Sequence, residues 1–395
     1  MFRLTQTMRE LIAPTPLRTA RRPAAPVVIW NLIRRCNLTC RHCYSTSADI
    51  DFAGELSTDA AFAVVDDLAT MRVPALILSG GEPLLRPDLF RIAARARTAG
   101  CHLALSTNGT LIGPQTIEAI ADARFDYVGV SLDGLRDTHD RFRRREGAFD
   151  ASLAGLRLLR DRGVRTGIRF TLTQENFADL PALLRLLDDE GIDKFYLSHL
   201  NYAGRGHVNR RRDAHLETTR RAMDLLIETC WRGLRGGTAR DFVTGNNDAD
   251  AVYFQQWVEA NHSGHAAHVR AKLVEWGGNA TGTGVANIDP LGNVHPDTYW
   301  WDVTLGNVRD APFSQLWRET SHPLMHGLRA SPRPLEGRCG RCPQRDICNG
   351  NTRVRAWRTT GNWWAEDPAC YLTDAELGLA ADASQAPPAV AAAAA

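Results

Sequence analysis

Three closely spaced cysteines, Cys36, Cys40 and Cys43, have the spacing CxxxCxxC and are the first residues in the 395-residue sequence whose types suggest chemistry. Three thiolates are one fewer than the four that normally hold a cubane iron–sulfur cluster, so one iron would stay open. Open metal positions are where substrates bind and react. The same cysteines could instead hold zinc, with His42 or another residue completing the site. The cysteines alone leave both alternatives open.

A second group of four cysteines lies near the C-terminus, with the spacing CxxCx₅Cx₂₁C: Cys339, Cys342, Cys348 and Cys370. Four thiolates fit a closed site that holds either zinc or a [4Fe–4S] cluster, and the spacing does not separate the two. The other two of the nine cysteines, Cys101 and Cys230, are isolated, and we predict that they are buried as small hydrophobic residues.

Short β-rich runs alternate with helical stretches from residue 27 to about 200 and would position the first cysteine group. The predicted strands are 27–33, 75–79, 101–106, 127–132, 165–172 and 194–198, and the helical stretches include 58–70, 88–98, 149–161 and 177–189. Repeated strand–helix units without hairpin turns favour a parallel sheet with helices outside. Six units are too few to close an eight-stranded barrel. We therefore predict an α/β fold, a partial (β/α)6 TIM-like barrel.

Polar segments follow several of these predicted strands. Besides the cysteine loop, they are Gly80-Gly81-Glu82-Pro83, Thr107-Asn108-Gly109 and Asp133-Gly134. In barrel-like α/β folds the chemistry gathers at the C-terminal ends of the strands. These segments are therefore candidates for one common site.

The rest of the chain divides by pattern. We predict an N-terminal extension over 1–26, the barrel over 27–200, a helical connection over 201–280, a C-terminal iron–sulfur module over 281–375 with a hairpin at 287–296, and a disordered tail over 376–395. A net charge of +2 does not predict nucleic-acid binding, and no run of 18 apolar residues predicts a membrane span. Grouped cysteines without a secretory signal indicate a cytoplasmic protein.

The first cysteine group and Gly80-Gly81-Glu82-Pro83 together resemble the radical S-adenosylmethionine (SAM) superfamily, whose signature is CxxxCxΦC followed by GGEP. The resemblance implies that a [4Fe–4S] cluster on the three cysteines chelates the methionine part of SAM. One electron then breaks the sulfonium C–S bond and gives a 5′-deoxyadenosyl radical. It also implies that Gly80, Gly81 and Glu82 contact the methionine ammonium, and that Asn108, Ser131 and Asp133 lie around the ribose and the methionine carboxylate. Asn-Gly and Asp-Gly also favour ordinary turns.

The second cysteine group resembles the auxiliary-cluster modules of the SPASM and twitch radical enzymes, which implies a second [4Fe–4S] cluster on its four cysteines. The full SPASM pattern has seven cysteines and two auxiliary clusters. Asp297 and Thr352 stand where two of those cysteines would be expected, so one auxiliary cluster remains. Asp297 is either an unusual oxygen ligand or a residue of the turn that ends the hairpin.

Longer strings, at 27–32, 76–85, 195–206, 245–248 and 348–353, resemble the radical SAM family of haem d1 biosynthesis. The resemblance implies an iron-containing substrate of the didecarboxysirohaem type, radical attack on two of its propionates, and a flavodoxin- or ferredoxin-type electron donor. A flat tetrapyrrole with carboxylates needs aromatic faces and arginines. Candidates are Arg143, Arg169, Trp257, Trp276, Trp300 and Trp301, and the histidines that could bind its iron are His199, His207, His262 and His295.

Three alternatives remain open. One is another tetrapyrrole radical SAM enzyme, such as a side-chain decarboxylase of the alternative haem pathway. Another is a peptide-modifying SPASM maturase, which we rank lower because about 26 residues precede the first strand, too few for a leader-recognition domain. The last is a non-catalytic iron–sulfur or zinc scaffold.

Arginines occur in two runs, at 141–145 and 210–212. Such runs are usually solvated surface. They could also attract an anionic substrate or an acidic redox partner.

Overall fold

One nine-stranded sheet runs through the computed structural model, which describes residues 1–17, 25–238 and 240–379. Its strands are β1 (Val27–Asn31), β2 (Leu76–Ser79), β3 (Leu103–Thr107), β4 (Tyr127–Ser131), β5 (Thr166–Leu172), β6 (Lys194–His199), β7 (Asp241–Gly245), β8 (Val285–Ile288) and β9 (Val294–His295). The order across the sheet is β7-β6-β5-β4-β3-β2-β1-β8-β9. Every neighbouring pair is parallel except β8 and β9, which form an antiparallel hairpin.

The α-helices are α1 (Leu4–Met8), α2 (Thr58–Thr70), α3 (Leu89–Thr98), α4 (Pro114–Asp122), α5 (Arg136–Arg143), α6 (Ala148–Asp161), α7 (Leu180–Asp189), α8 (Gly204–Val208), α9 (Leu216–Arg235), α10 (Ala249–Asn261), α11 (Ala266–Trp276), α12 (Phe313–Glu319), α13 (Pro323–Arg329), α14 (Gly337–Arg341), α15 (Arg345–Cys348), α16 (Arg353–Thr360) and α17 (Asp374–Leu377). Helix α2 illustrates why they form. The Ser57 hydroxyl accepts a hydrogen bond from the Ala60 N–H and caps its first turn, and its apolar side chains at helical spacing are buried.

The predicted fold class is confirmed: parallel strands alternate with helices in a partial, TIM-like barrel. Each of the six predicted strands is present, with small shifts at the ends. Val28, Leu78, Leu105, Val130 and Ile168 lie on successive strands and are 0–1% exposed. Their burial removes apolar surface from water and fixes the strand register.

Three strands extend the sheet beyond the six that were predicted for the barrel. Strand β7 lies inside the segment predicted as a helical connection and pairs with β6. The hairpin predicted at 287–296 is present as β8 and β9, and β8 pairs with β1. The segment predicted as a C-terminal module therefore shares a sheet with the barrel. The boundary predicted for this module, residues 281–375, stays a prediction.

The chain ends differ in how much of them is described. Phe2 is buried, and its backbone exchanges hydrogen bonds with Thr244 of β7, so the N-terminal extension packs on the barrel. The predicted disordered tail begins inside α17, where Thr373 and Glu376 form a capping box. Residues 18–24 of the extension and 380–395 of the tail lie outside the described residues. Within the described ranges, no helix is both long and apolar enough to cross a membrane.

Candidate functional site

The cysteine loop follows β1, at the edge of the sheet where the parallel strands end. Cys36 and Cys40 are each 6% exposed and pack with Leu38 and Ala148, and Cys43 lies beside them. Burial raises the pKa of the Cys36 and Cys40 thiols. Thiolates in this apolar setting need a compensating positive centre, and an iron–sulfur cluster supplies one.

Polar donors point at the sulfur atoms of this loop. The Leu38 N–H lies 3.4 Å from Cys36 Sγ, Arg143 Nη1 lies 3.5 Å from Cys40 Sγ, and Asn108 Nδ2 lies 3.9 Å from Cys36 Sγ. The Ser45 hydroxyl is 3.3 Å from Cys43 Sγ. Hydrogen bonds to ligand sulfurs orient a cluster and tune its potential. The donor set therefore fits a thiolate-ligated cluster.

The Gly80-Gly81-Glu82 segment, after β2, is joined to the cysteine loop through its backbone. The Gly81 N–H donates to the Ile33 carbonyl at 2.6 Å, and the Glu82 N–H donates to the Arg35 carbonyl at 2.9 Å. A Cβ atom on Gly81 would lie 2.2 Å from the Arg35 carbonyl oxygen. Glycine is required at this position because two main chains meet there.

Glu82 is 0% exposed and connects the ends of β2 and β3. One carboxylate oxygen accepts hydrogen bonds from Thr107 Oγ1 at 2.7 Å and from the Leu84 N–H at 3.2 Å, and the other accepts from the Asn108 N–H at 2.8 Å. Burial raises the Glu82 pKa to about 7 despite these donors. Its predicted contact with the methionine ammonium stays a prediction.

Asp133, after β4, is fully buried and paired. Its carboxylate forms an ion pair with Arg143, accepts the Thr171 N–H at 2.7 Å, and lies 3.8 Å from His42 Nε2. Burial opposes its ionisation, but Arg143 beside it holds the Asp133 pKa below its usual value. The Asp133 N–H donates to His139 Nδ1 at 2.9 Å. Asp133 thus holds Arg143 against the cysteine loop.

His42 occupies the aromatic position of the cysteine signature and stacks on Phe142, with ring centres 4.6 Å apart. Burial lowers the His42 pKa to about 4, so the ring is neutral. It serves as a packing surface between the cysteine loop and α5.

The remaining predicted SAM contacts lie at the ends of β3 and β4. Asn108 Nδ2 donates to Asn37 Oδ1 at 2.9 Å, which links the end of β3 to the cysteine loop. Ser131 pairs in register with Arg169 of β5. Arg169 Nη1 donates to Ser106 Oγ at 2.6 Å, and its guanidinium lies over the Tyr196 ring at 5.2 Å. Of the two arginines predicted to bind a carboxylate, Arg143 is committed to Asp133 and Arg169 is not ion-paired within the described residues.

Aromatic side chains from separate parts of the chain meet beside the cysteine loop. Tyr44, next to Cys43, lies 5.4 Å from Tyr299 and 6.4 Å from Trp301 between ring centres. The Tyr299 hydroxyl accepts a hydrogen bond from Asn246 Nδ2 at 2.7 Å. Sequence reasoning named Trp301 but missed Tyr44 and Tyr299. Tyr44 could have been proposed from the sequence, because an aromatic residue that directly follows Cys43 must lie close to the cysteine loop.

The other predicted aromatic candidates lie elsewhere. Trp300 is 0% exposed in the core, and Trp276 packs against Phe2. Trp257 of α10 groups with Trp231 of α9 and with His262, which directly follows α10. These three tryptophans therefore do not join the aromatic group around Tyr44.

The predicted histidines also have partners or lie apart. His199 Nε2 is 2.9 Å from Asp250, and Asp250 accepts the Tyr371 hydroxyl at 2.9 Å. His295 is fully buried and its Nδ1 donates to the Val303 carbonyl at 2.7 Å. His207 lies on α8 beside Arg210.

Helix α8 holds the outside of the cysteine loop. Arg205 donates its backbone N–H to the Cys43 carbonyl at 2.8 Å and its Nε to the Cys40 carbonyl at 2.7 Å. Gly204 has φ +52°, and a Cβ there would lie 2.3 Å from the Tyr44 carbonyl oxygen. The segment that follows β6 therefore holds the cysteine loop in place through these hydrogen bonds.

The second cysteine group lines one cavity, together with residues of α10 and α14: Cys339, Cys342, Cys348 and Cys370. Arg338 Nη1 lies 3.3 Å from Cys370 Sγ, and the Gln344 N–H lies 3.4 Å from Cys342 Sγ. Burial raises the pKa of the Cys339, Cys342 and Cys348 thiols. Four sulfurs around one cavity, with donors directed at them, fit a thiolate-ligated cluster. Among the described residues, no three His, Cys, Asp or Glu side chains are grouped as ligands of a single metal ion.

The two residues that replace expected cysteines have structural partners. Asp297 accepts the Thr281 hydroxyl at 2.6 Å and the Tyr299 N–H at 2.8 Å. The Thr352 hydroxyl donates to the Asn246 carbonyl at 3.0 Å. Asp297 therefore holds the loop that carries Tyr299, and Thr352 connects its own segment to the end of β7.

The comparisons with known proteins agree with this geometry. The profile of the Radical SAM superfamily matches residues 30–187. The chain is 56% identical to pre-heme d1 synthase of Dinoroseobacter shibae, over 97% of this chain and 95% of that protein. It is 43% identical to Fe-coproporphyrin III synthase of Methanosarcina barkeri, over 89% of each.

Solved structures share the fold. SuiB of Streptococcus suis bound to S-adenosylmethionine matches with a TM-score of 0.70 at 16% identity, over 88% of this chain and 78% of that one. Native anSMEcpe with bound AdoMet and Cp18Cys peptide matches with a TM-score of 0.66 at 16% identity, over 88% and 93%. The profile match and the 56% identity to pre-heme d1 synthase show that the chain belongs to the radical SAM superfamily.

Proposed function

We propose that this chain is a radical SAM enzyme of haem d1 biosynthesis that modifies two propionate side chains of a didecarboxysirohaem-type tetrapyrrole. The family match supplies the reaction class. The identity to pre-heme d1 synthase over nearly the whole chain supports the substrate. Grouped cysteines, which suit a reducing compartment, support a cytoplasmic location.

One observation carries the substrate proposal: the aromatic group of Tyr44, Tyr299 and Trp301 lies immediately beside Cys43. Flat aromatic rings suit a flat apolar macrocycle. Arg169 lies on β5, in register with Ser131 of β4. Its guanidinium suits a carboxylate at the rim of the macrocycle. A substrate held there would have its side chains close to the cysteine loop.

The proposed ligands of the SAM-binding [4Fe–4S] cluster are Cys36, Cys40 and Cys43. The auxiliary [4Fe–4S] cluster is assigned to the second cysteine group, Cys339, Cys342, Cys348 and Cys370. SAM is assigned to the adjoining strand ends, Gly80, Gly81, Glu82, Asn108, Ser131 and Asp133. When bound, the reduced cluster and SAM supply the 5′-deoxyadenosyl radical that abstracts hydrogen from the substrate.

The protein's own residues orient and enclose these groups. Gly81 and Glu82 fix the distance between β2 and the cysteine loop through their backbone bonds. Arg143 places positive charge beside Cys40. Tyr44 and Trp301 place aromatic surface beside Cys43, which would keep water from a reactive intermediate.

The electron that starts the reaction comes from a flavodoxin- or ferredoxin-type donor in this proposal. A low-potential one-electron carrier is required because each SAM cleavage takes up one electron.

A second candidate is the reaction of the Fe-coproporphyrin III synthase relative, at 43% identity. Coproporphyrins keep their propionates, so the two candidates differ in the fate of those side chains.

The test is anaerobic reconstitution followed by incubation with dithionite, SAM and didecarboxysirohaem, with 5′-deoxyadenosine and tetrapyrrole mass followed together. The proposal expects deoxyadenosine that depends on the tetrapyrrole, and loss of mass from two propionates. A product with all propionates intact would favour the second candidate. Loss of carbon dioxide to leave a vinyl group would indicate a haem-synthase reaction. No deoxyadenosine from protein with intact clusters would sink the enzyme assignment.

A further inference from the structure

Two arginine runs that lie far apart in the sequence meet on one face of the cysteine loop. The Arg41 N–H donates to the Phe142 carbonyl at 3.1 Å, at the end of α5 and within the run 141–145. The Arg41 carbonyl accepts Asn209 Nδ2 at 2.9 Å, next to the run 210–212. Arg41 therefore lies between the two runs. Arg41 and the two arginine runs together form one basic face.

Some of the arginines on this face are neutralised by an acidic residue, and others are not. Arg41 and Arg212 both pair with Glu175. Arg141, Arg144 and Arg211 are exposed and have no ion-pair partner in the described part of the chain. Three unpaired guanidinium groups on one face make a local positive field that the net charge of +2 conceals.

An apolar residue lies within the same face. Val208, at the end of α8 and between Arg205 and Arg210, is 75% exposed. An exposed apolar side chain surrounded by arginines is typical of a protein interface. A free small anion would gain nothing from it.

This face also adjoins the first cysteine group. Arg41 is between Cys40 and Cys43 in the chain, and a quarter of its side chain is exposed. The carbonyls of both cysteines are held by Arg205, at the start of the helix that carries Val208. A protein bound here would lie one layer of residues from the cluster ligands.

We infer that the basic face formed by Arg41, Arg141, Arg144, Arg211 and Val208 is the docking surface of an acidic one-electron carrier protein that reduces the cluster at Cys36, Cys40 and Cys43. The inference rests on the proposed function. In the step, one electron passes from the reduced carrier to the oxidised cluster, the carrier is oxidised by one electron, and no bond forms or breaks. The reductant is reduced flavodoxin or ferredoxin.

Charge reversal tests the surface. The test variant is Arg144→Glu/Arg211→Glu, because neither side chain has an ion-pair partner to lose among residues 1–17, 25–238 and 240–379. The matched control is Arg124→Glu/Arg185→Glu, which has the same change of charge at two exposed arginines without ion pairs among the described residues. Cluster absorbance and circular dichroism establish that each variant is folded and loaded.

The first readout is the Kd for purified oxidised flavodoxin, measured by calorimetry at about 50 mM and about 200 mM salt. The inference expects at least about tenfold weaker binding in the test variant at low salt, with a smaller salt dependence, and little change in the control. Unchanged binding in the test variant would overturn it. So would an equal loss in the control. Binding of RNA or anionic vesicles that the test variant abolishes, with flavodoxin binding unchanged, would also overturn it.

The second readout separates this inference from the proposed function. Deoxyadenosine formation driven by dithionite should be the same in parent and test variant, whereas formation driven by reduced flavodoxin should fall in the test variant. If the parent forms none with dithionite, the proposed function fails. The calorimetric comparison still decides the docking surface.

Discussion

Arg143 directs one terminal nitrogen to the sulfur of Cys40 at 3.5 Å and pairs through the other with the buried carboxylate of Asp133. The sulfur of Cys40, a proposed cluster ligand, is thus held to the end of β4 by one guanidinium. Removing this group should disturb the charge balance of the site as well as its packing.

We therefore predict that Arg143→Gln is strongly destabilising, because it leaves the Asp133 carboxylate buried without its partner. The expected loss in free energy of unfolding is about 3–5 kcal/mol. Chemical denaturation of the cluster-free protein measures it. The control is the neighbouring Arg144→Gln, which removes an exposed guanidinium without an ion pair in the described part of the chain and should change stability by less than about 0.5 kcal/mol. Equal stabilities for the two variants would contradict the role given to Arg143.

Gly81→Ala should disrupt the junction between the cysteine loop and β2. The added Cβ would lie 2.2 Å from the Arg35 carbonyl oxygen and 2.4 Å from that of Arg34, so a main chain must move. We expect a loss of about 1–3 kcal/mol and reduced iron incorporation after reconstitution. Gly113→Ala is the control, since nothing lies within 4 Å of its Cβ. Full iron loading and wild-type stability in Gly81→Ala would show that the contact is not tight.

Glu82 predicts a pH dependence of stability. Its pKa in the folded protein is about 7, raised by burial from 4.5. The folded state therefore holds this proton more tightly than the unfolded state, and stability falls as pH rises from about 4.5 through about 7. In Glu82→Gln this contribution disappears. Denaturation of cluster-free protein between about pH 5 and pH 7.5 should show a flatter profile for the variant. Parallel profiles would mean that Glu82 ionises normally.

Cys370→Ser tests the second cluster by iron content. If the four C-terminal cysteines hold a [4Fe–4S] cluster, the reconstituted protein contains about eight irons, and the variant should keep about four. Cys101→Ala, at an isolated buried cysteine, should keep the full content. An unchanged iron content in Cys370→Ser would remove Cys370 from the ligand set.

Arg169→Gln tests the substrate site. If Arg169 binds a tetrapyrrole carboxylate, loss of a charge-assisted hydrogen bond should weaken substrate binding by about 10- to 100-fold. SAM cleavage with dithionite alone should change little. Tetrapyrrole binding followed by absorbance titration measures the effect, with Arg185→Gln on α7 as the control. Wild-type affinity in Arg169→Gln would mean that another group holds the carboxylates.

The sequence predicted what depends on local pattern. Both cysteine groups, the six strands and the hairpin could be placed because spacing and alternation are encoded within a few residues. Strand β7 was missed because its five residues, Asp241–Gly245, begin with a charge and follow a long helix. Its strand identity comes from pairing with β6.

What the sequence could not provide was the contact between distant residues. Tyr44 and Tyr299 meet only because β8 pairs with β1 and brings the following loop over the cysteine loop. The sequence also could not decide whether Arg143 or Arg169 binds a substrate carboxylate. Arg143 forms an ion pair with Asp133, and this contact cannot be read from the sequence. Both are consequences of topology.

The most direct test of the central claim is isotope transfer from the substrate. Didecarboxysirohaem deuterated at its propionate methylenes would be incubated with the reconstituted enzyme, SAM and dithionite, and the 5′-deoxyadenosine would be analysed by mass spectrometry. We predict deuterium in the deoxyadenosine and a tetrapyrrole altered at two propionates. Unlabelled deoxyadenosine with both propionates intact would contradict it.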